Sequence, residues 1–241
     1  MNAADALVIR DLEGLPELKQ AEQLQTEVWG EGDKPDNSDI MLAIQHEGGL
    51  VAGAFRSGRL LAFLFGFPSA SAGVQHSHRL AVHPEARGLG LGARLKWYQR
   101  DWCLARGITL VRWTYDPMRA INAGLNIGRL GAVADTYLVD YYGQMEGINA
   151  GLPSDRLLAE WHLQSPGVVA RAEGGAPPPI PDAQRIAIPR DYDGLIGSDP
   201  EAALKARLHL RDRMQAAFAG GLRVAGFDSA DPAYLLAPAQ G

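Results

Sequence analysis

The sequence predicts an α/β (α+β) fold in which an antiparallel meander of strands is covered by helices. Short apolar runs of strand length alternate with segments of helical periodicity. Two of those runs flank a tight turn with glycine in it, the signature of a hairpin. The chain of 241 residues, 46% hydrophobic and 21% charged, has the length and composition to bury a core.

Ala6 to Arg10 reads as a strand, and Leu18, Ala21, Gln25 and Val28 then recur at helical spacing before Gly30. Gly49 to Phe55 and Leu60 to Phe67 flank Arg56-Ser57-Gly58-Arg59 and form the hairpin. Gln75 to Val82 is a fourth strand, closed by His83-Pro84 because proline cannot donate into a ladder. Leu91, Leu95, Tyr98 and Trp102 mark one face of a helix that stops at Gly107. Ile108 to Tyr115 is a strand halted by Asp116-Pro117, and Ile121, Leu125 and Leu130 mark a short helix ended by Gly131. Val133 to Tyr142 and Arg156 to Leu163 supply further strands.

The run Gly174 to Pro181 is a stiff connector, since consecutive prolines hold the chain extended. It divides the chain into residues 1–170, a Pro/Gly-rich linker at 171–182, and a small C-terminal α/β extension at 183–241. In that extension Ser198-Asp199-Pro200-Glu201 opens a helix whose buried stripe is Ala203, Ala206, Leu210, Met214 and Ala217. Strands near Leu222 to Phe227 and Tyr234 to Ala237 follow.

A net charge of -5 gives no broad basic field, so a nucleic-acid partner is not expected. Cys103 is the single cysteine and forms no intrachain disulfide, and the start lacks an export signal, so a reducing, cytoplasmic setting is expected. The longest apolar stretches are strand-length, so no membrane span is expected.

The chemistry is concentrated at Arg87-Gly88-Leu89-Gly90-Leu91-Gly92, between a strand and a helix. Glycines let the backbone pass close to a ligand, and the helix start aims unpaired N–H groups at it. The helix dipole adds partial positive charge, and Arg87 adds a fork of donors, so a pyrophosphate is the natural guest. A P-loop is excluded because no Lys-Ser or Lys-Thr follows the last glycine. Gly88 to Ala93 matches the G-x-G-x-x-A dinucleotide fingerprint, although His83 to Arg87 intervenes and an antiparallel meander precedes it. An NAD-binding oxidoreductase is therefore the alternative enzyme reading.

Leu80 to Gly92, with its V-x-P followed by Arg-x-x-Gly-x-Gly-type spacing, resembles the acyl-CoA signature of the GNAT superfamily of N-acyltransferases. The order of elements agrees from about residue 6 to residue 165. The resemblance implies a GNAT fold, with a mixed, mostly antiparallel sheet that splays after its fourth strand, and pantetheine along the backbone of Leu80, Ala81 and Val82. It implies acetyl-CoA or succinyl-CoA as acyl donor, a small amine or amino acid as acceptor, and a homodimer among the partners. Asn122, Asn126 and Arg129 fall at i, i+4 and i+7 as one polar stripe on the next helix and are candidates for cofactor contact. Ile127 occupies the place of the tyrosine that often protonates the departing thiolate in the family, leaving Tyr115 and Tyr141 as stand-ins. Trp113 to Met118 and Gly151 to Arg156 resemble a subgroup of predicted acetyltransferases and amino-acid N-succinyltransferases. A carboxylate on donor or acceptor would want an arginine, and Arg112, Arg119 and Arg156 are available.

Acyl transfer to an amine needs a proton acceptor, because an ammonium has no lone pair for attack. His76 and His78 share one strand face and are the candidate bases for direct attack. A similar pair occurs in the aralkylamine N-acetyltransferases. The oxyanion would be met by a backbone N–H near Leu80 to Val82. The pair lacks a third ligand at metal spacing, so no metal is expected, and Cys103 lies inside a helix, where packing is its expected role. A non-catalytic CoA-binding module is the other alternative, suggested by the missing tyrosine.

Overall fold

The computed structural model describes residues 6–30, 32–143, 151–177 and 179–239. The chain is α/β, with largely antiparallel strands flanked by helices, and it divides into two compact units at Val111/Arg112.

The first unit opens with β1 (Val8–Asp11), α1 (Gly14–Trp29) and α2 (Ser38–His46). β2 (Leu50–Arg56), β3 (Arg59–Pro68) and β4 (Val74–Val82) complete an antiparallel meander in the order β1-β2-β3-β4. The β2–β3 turn is tighter than the four residues read from sequence. Ser57 (φ 52°) and Gly58 (φ 77°) alone make it, both in the left-handed region that matches the twist of a hairpin. One sheet face packs Phe63, Phe65 and Ala81 against Leu18, Ala21 and Leu24 of α1 and Met41 of α2. α3 (Leu91–Leu104) packs against β2, β3 and β4, with Leu91, Leu95, Trp102 and Cys103 buried. α3 also buries Lys96 and Gln99, two polar residues that the apolar reading of this face passed over.

The second unit takes in most of β5 (Leu110–Tyr115), then a short α4 (Ala120–Ala123) running into a π-helical turn at Gly124–Arg129. β6 (Val133–Leu138), β7 (Arg156–His162) and α5 (Pro166–Ala172) follow. The chain continues through β8 (Gln184–Ala187), α6 (Tyr192–Ser198), α7 (Pro200–Ala219), β9 (Leu222–Asp228) and β10 (Ala233–Pro238). Strand order is β5-β7-β6-β9-β10-β8. The division into units does not follow the Pro/Gly-rich segment 171–182. Ala134 of β6 pairs with Val224 of β9, so residues on both sides of that segment build one sheet.

α7 is capped as its sequence predicts, Asp199 accepting from the Ala202 amide at 2.9 Å with Pro200 in the first turn. Its buried stripe is Ala203, Arg207, Leu210, Met214 and Ala217. Arg207 takes the place expected for Ala206, because spacings of four and three repeat along a packed helix face whatever residue falls there. Ile121, one of the residues that mark the short helix in the sequence, is 87% exposed.

Candidate functional site

The glycine loop is held between two fixed elements. His83 ends β4 by donating its amide to Leu61 O (2.8 Å), and its ring Nδ1 accepts from the Glu85 amide (3.2 Å) at the head of a 3-10 turn, Pro84–Ala86. Arg87 then leaves the turn in extended backbone, and Gly88 (φ 84°) and Gly90 (φ 68°) take left-handed conformations that cost a glycine little. A Cβ added at Gly88 would meet nothing within 4 Å, so the bend is open. Gly90 is the N-cap of α3, has no side chain with which to cap it, and is followed by a first turn without an acidic residue. The opening amides of α3 thus keep their capacity for an external acceptor, with the helix dipole behind them. Arg87 and Arg94 are exposed on either side and, among the described residues, make no ion pair. Arg94, which the sequence reading did not single out, reinforces the positive field. The backbone and charges present therefore fit a diphosphate.

β4 carries an irregularity beside this loop. Phe65 pairs with Arg79 while Gly66 pairs with Ser77, so His78 is the extra residue of a β-bulge. Gln75 and Ser77 reach toward α3, bonding with Gln99, whereas Ala81 joins the α1 and α2 side of the core. The bulge thus re-aims the strand just before Leu80, Ala81 and Val82. Leu80 and Val82 are half-buried and Ala81 is buried.

His76 and His78 lie 5.8 Å apart between ring centroids. Phe67 of β3 touches both rings, at 5.0 Å and 5.7 Å, and Phe65 meets His78 edge-on at 5.6 Å. His78 Nε2 lies 3.3 Å from Asp36 Oδ1, and Arg79 Nε lies 2.9 Å from Asp36 Oδ2. Burial works against the Asp36 carboxylate, yet His78 and Arg79 together hold its pKa below the ordinary value. A base oriented by a carboxylate is what proton abstraction needs, and sequence spacing gave no hint of Asp36.

Cys103 is buried, its Sγ 3.3 Å from Gln75 Oε1, and burial pushes its thiol up to about 12, with Lys96 and Arg106 opposing. A thiol so held is a packing group and a poor nucleophile.

In the second unit the predicted polar stripe does not form. Asn126 is buried, while Asn122 and Arg129 are exposed. The cause is the π turn, in which Leu130 N bonds Leu125 O at 2.9 Å and the wider winding breaks the i, i+4 alignment. Gly124 lets this turn approach the end of β9, where an added Cβ would stand 3.1 Å from Ser229 Oγ. Ile127 is fully buried, Tyr115 is buried with its hydroxyl pKa raised by burial, and Tyr141 is 52% exposed and stacked edge-on against Tyr142. Arg112 and Arg156 are half-buried, and Arg119 Nε lies 3.7 Å from Asp116 Oδ2.

Residues 15–123 match the model of the acetyltransferase (GNAT) family. Over that stretch the chain is similar to the GNAT acetyltransferases. Its fold is shared by the ribosomal-protein-S18-alanine N-acetyltransferase of Escherichia coli, at 20% identity and a TM-score of 0.55 over 67% of this chain and 97% of that one. It is shared too by yncA, a putative acetyltransferase of Salmonella typhimurium solved with acetyl-CoA, at 17% identity, a TM-score of 0.54, and coverage of 66% and 95%. A phosphinothricin acetyltransferase of Sinorhizobium meliloti, in complex with AcCoA, aligns at 16% identity and a TM-score of 0.52 over 64% of this chain and 86% of that one. No curated protein matches the sequence. The strand leading into this loop pairs antiparallel with β3, whereas a dinucleotide fold is built on a mostly parallel sheet. Among the described residues, no helix is long and apolar enough to cross a membrane.

Proposed function

We propose that this protein is a GNAT-type, acyl-CoA-dependent N-acyltransferase that moves an acetyl or succinyl group to a small amine or amino acid by direct attack. The observation that carries the reading is the open, uncapped start of α3 behind the left-handed Gly88 and Gly90. Bound acyl-CoA would supply an activated thioester carbonyl. The amides of Gly88 to Gly92 and the Arg87 guanidinium hold the diphosphate, and the backbone of Leu80 to Val82 aligns the pantetheine arm. His78, or His76 beside it, takes the proton of the attacking amine, with Asp36 orienting His78. The solved neighbours named with acetyl-CoA support the donor class.

The test is release of free thiol from acetyl-CoA and succinyl-CoA over a panel of amino acids and simple amines, in wild type and His78→Ala. We expect kcat to fall on the order of a hundredfold while the Kd of CoA changes less than about twofold. Buried Ile127, standing where a thiolate-protonating tyrosine would sit, favours a second reading as a non-catalytic CoA-binding module. CoA binding without turnover across the panel would establish that reading, and absence of CoA binding would end both.

A further inference from the structure

The chain enters the glycine loop through one histidine, and that histidine can hold the entry in only one of its protonation states. The His83 side chain is 12% exposed. Its ring Nδ1 accepts from the Glu85 amide at 3.2 Å and so caps the 3-10 turn Pro84–Ala86. The hydrogen bonds of that turn run on into the loop. The Ala86 amide donates to His83 O at 2.9 Å, the Arg87 amide to Pro84 O at 3.2 Å, and the Leu89 amide to Ala86 O at 3.4 Å. Ala86 is buried, which seats the turn on the core. Arg87 to Gly92 therefore start from a turn in which an imidazole holds the Glu85 amide.

A neutral imidazole has one lone pair and one N–H. Two donors stand against this ring, the Glu85 amide at Nδ1 and Arg59 Nη2, 3.2 Å from Nε2. Arg59 has a stronger acceptor in Glu85 Oε2, 3.0 Å from its Nη1, and Nε2 has an acceptor of its own in Glu27 Oε2 at 3.5 Å. The proton thus belongs on Nε2 and the lone pair on Nδ1. The charged groups that face the ring are Glu27 from α1, Arg59 from β3 and Glu85 from the turn itself. A second proton can go only to Nδ1, where it sets an N–H against the Glu85 N–H and ends the capping bond. Glu85 Oε2, 3.7 Å from Nδ1, and Glu27 then hold the imidazolium, so the charged ring keeps partners while the amide loses its own.

We propose that His83 is a positioning residue of the acyl-CoA loop: neutral, it caps the turn that launches Arg87 to Gly92, and protonated, it releases that turn and weakens CoA binding. The inference rests on the acyl-CoA reading of the loop and adds a support that responds to protons. An asparagine in this place would offer a side-chain oxygen where His83 offers Nδ1, and its acceptor would not titrate.

The experiment measures the Kd of CoA by calorimetry at about pH 5.5 and about pH 8 in wild type, His83→Asn and His83→Ala. The phosphates of CoA and the other histidines titrate alike in all three proteins, so the ratio of the two constants is compared between them. We expect the wild-type ratio, low pH over high, to exceed that of His83→Asn by at least about threefold. His83→Ala has no acceptor for the amide. It should bind CoA at least about threefold more weakly than wild type at the higher pH and show the small ratio of His83→Asn. Equal ratios in wild type and His83→Asn overturn the role of His83 and leave acyl-CoA binding standing, whereas no CoA binding at either pH ends the acyl-CoA reading itself. The tautomer is read without any variant, from long-range proton–nitrogen correlation of the wild-type His83 ring. A proton on Nε2 and a bare Nδ1 at the higher pH support the proposal, and a proton on Nδ1 there overturns it.

Discussion

α3 in the first unit and α7 in the second each bury a cation on the face turned to a sheet, and they do so by opposite means. Lys96 of α3, 2% exposed, donates to Ser77 Oγ at 2.7 Å and to Gln99 Oε1 at 3.2 Å. These partners are neutral, and burial lowers the amine to about 7, with Cys103 opposing. Arg207 of α7, 1% exposed, sits on the Asp116 carboxylate. Burial works against its charge too, but Asp116 and Tyr192 outweigh burial and hold its pKa above the ordinary value. An amine can shed its proton when dehydration becomes costly, whereas a guanidinium cannot and must be given a counter-charge. The first helix therefore buries a group whose charge depends on pH, and the second buries one whose charge is permanent.

Breaking the permanent pair should give the largest effect. Asp116→Ala leaves Arg207 charged and unmatched in the interior and should cost about 3–5 kcal/mol of stability in urea unfolding. Adding Arg207→Met should recover most of that loss, since an apolar group of similar volume needs no counter-charge. A double variant as unstable as Asp116→Ala would show that Asp116 acts through its bond from the Met118 amide at 2.9 Å instead.

The titratable cation should give the next effect, seen as a slope. Lys96 has a folded pKa of about 7 against 10.5 when unfolded, so between those values the unfolded chain holds one more proton. Stability must then rise with pH from about 7, by at most roughly 1.4 kcal/mol per pH unit. Below pH 7 the amine is protonated in both states and the slope vanishes. From pH 9 upward the Cys103 thiol, raised to about 12 in the fold, works in the opposite direction, so pH 7 to 9 is the clean window. Lys96→Met should flatten the urea midpoint across that window, and Arg207→Met should leave the slope in place. A slope that survives Lys96→Met would assign it to another group.

Neither buried cation was legible in the sequence, and the reason is physical. Apolar periodicity locates a face by its majority, so Lys96 and Gln99 were passed over between Leu91, Leu95 and Trp102, and Arg207 was replaced in the reading by the small Ala206. A long charged side chain reads as solvent-facing until its partner is known, and Asp116 lies 91 residues away from Arg207. The glycine loop was legible because left-handed backbone at positions 88 and 90 is a local demand that glycine meets whatever surrounds it. The β4 bulge and the π turn at Gly124–Arg129 were not, since each depends on which remote backbone groups answer the local ones. For the same reason the Pro/Gly-rich run at 171–182 does not mark where the compact units divide.

The smallest expected effect sharpens the contrast most directly, because it tests whether the lysine network responds to charge. Ser77 Oγ is 2.7 Å from Lys96 Nζ and 3.4 Å from Gln99 Oε1, so Ser77→Ala removes one acceptor from the amine with little change in volume. A hydrogen bond to a charged group contributes about 1.5–3 kcal/mol and one between neutral groups about 0.5–1.5 kcal/mol. The cost of Ser77→Ala, measured by urea unfolding, should therefore be about 2 kcal/mol at pH 6 and fall to about 1 kcal/mol at pH 9 as the amine loses its proton. The same cost at both pH values would mean that Lys96 keeps one protonation state throughout, and the two helices would then bury their cations in the same way.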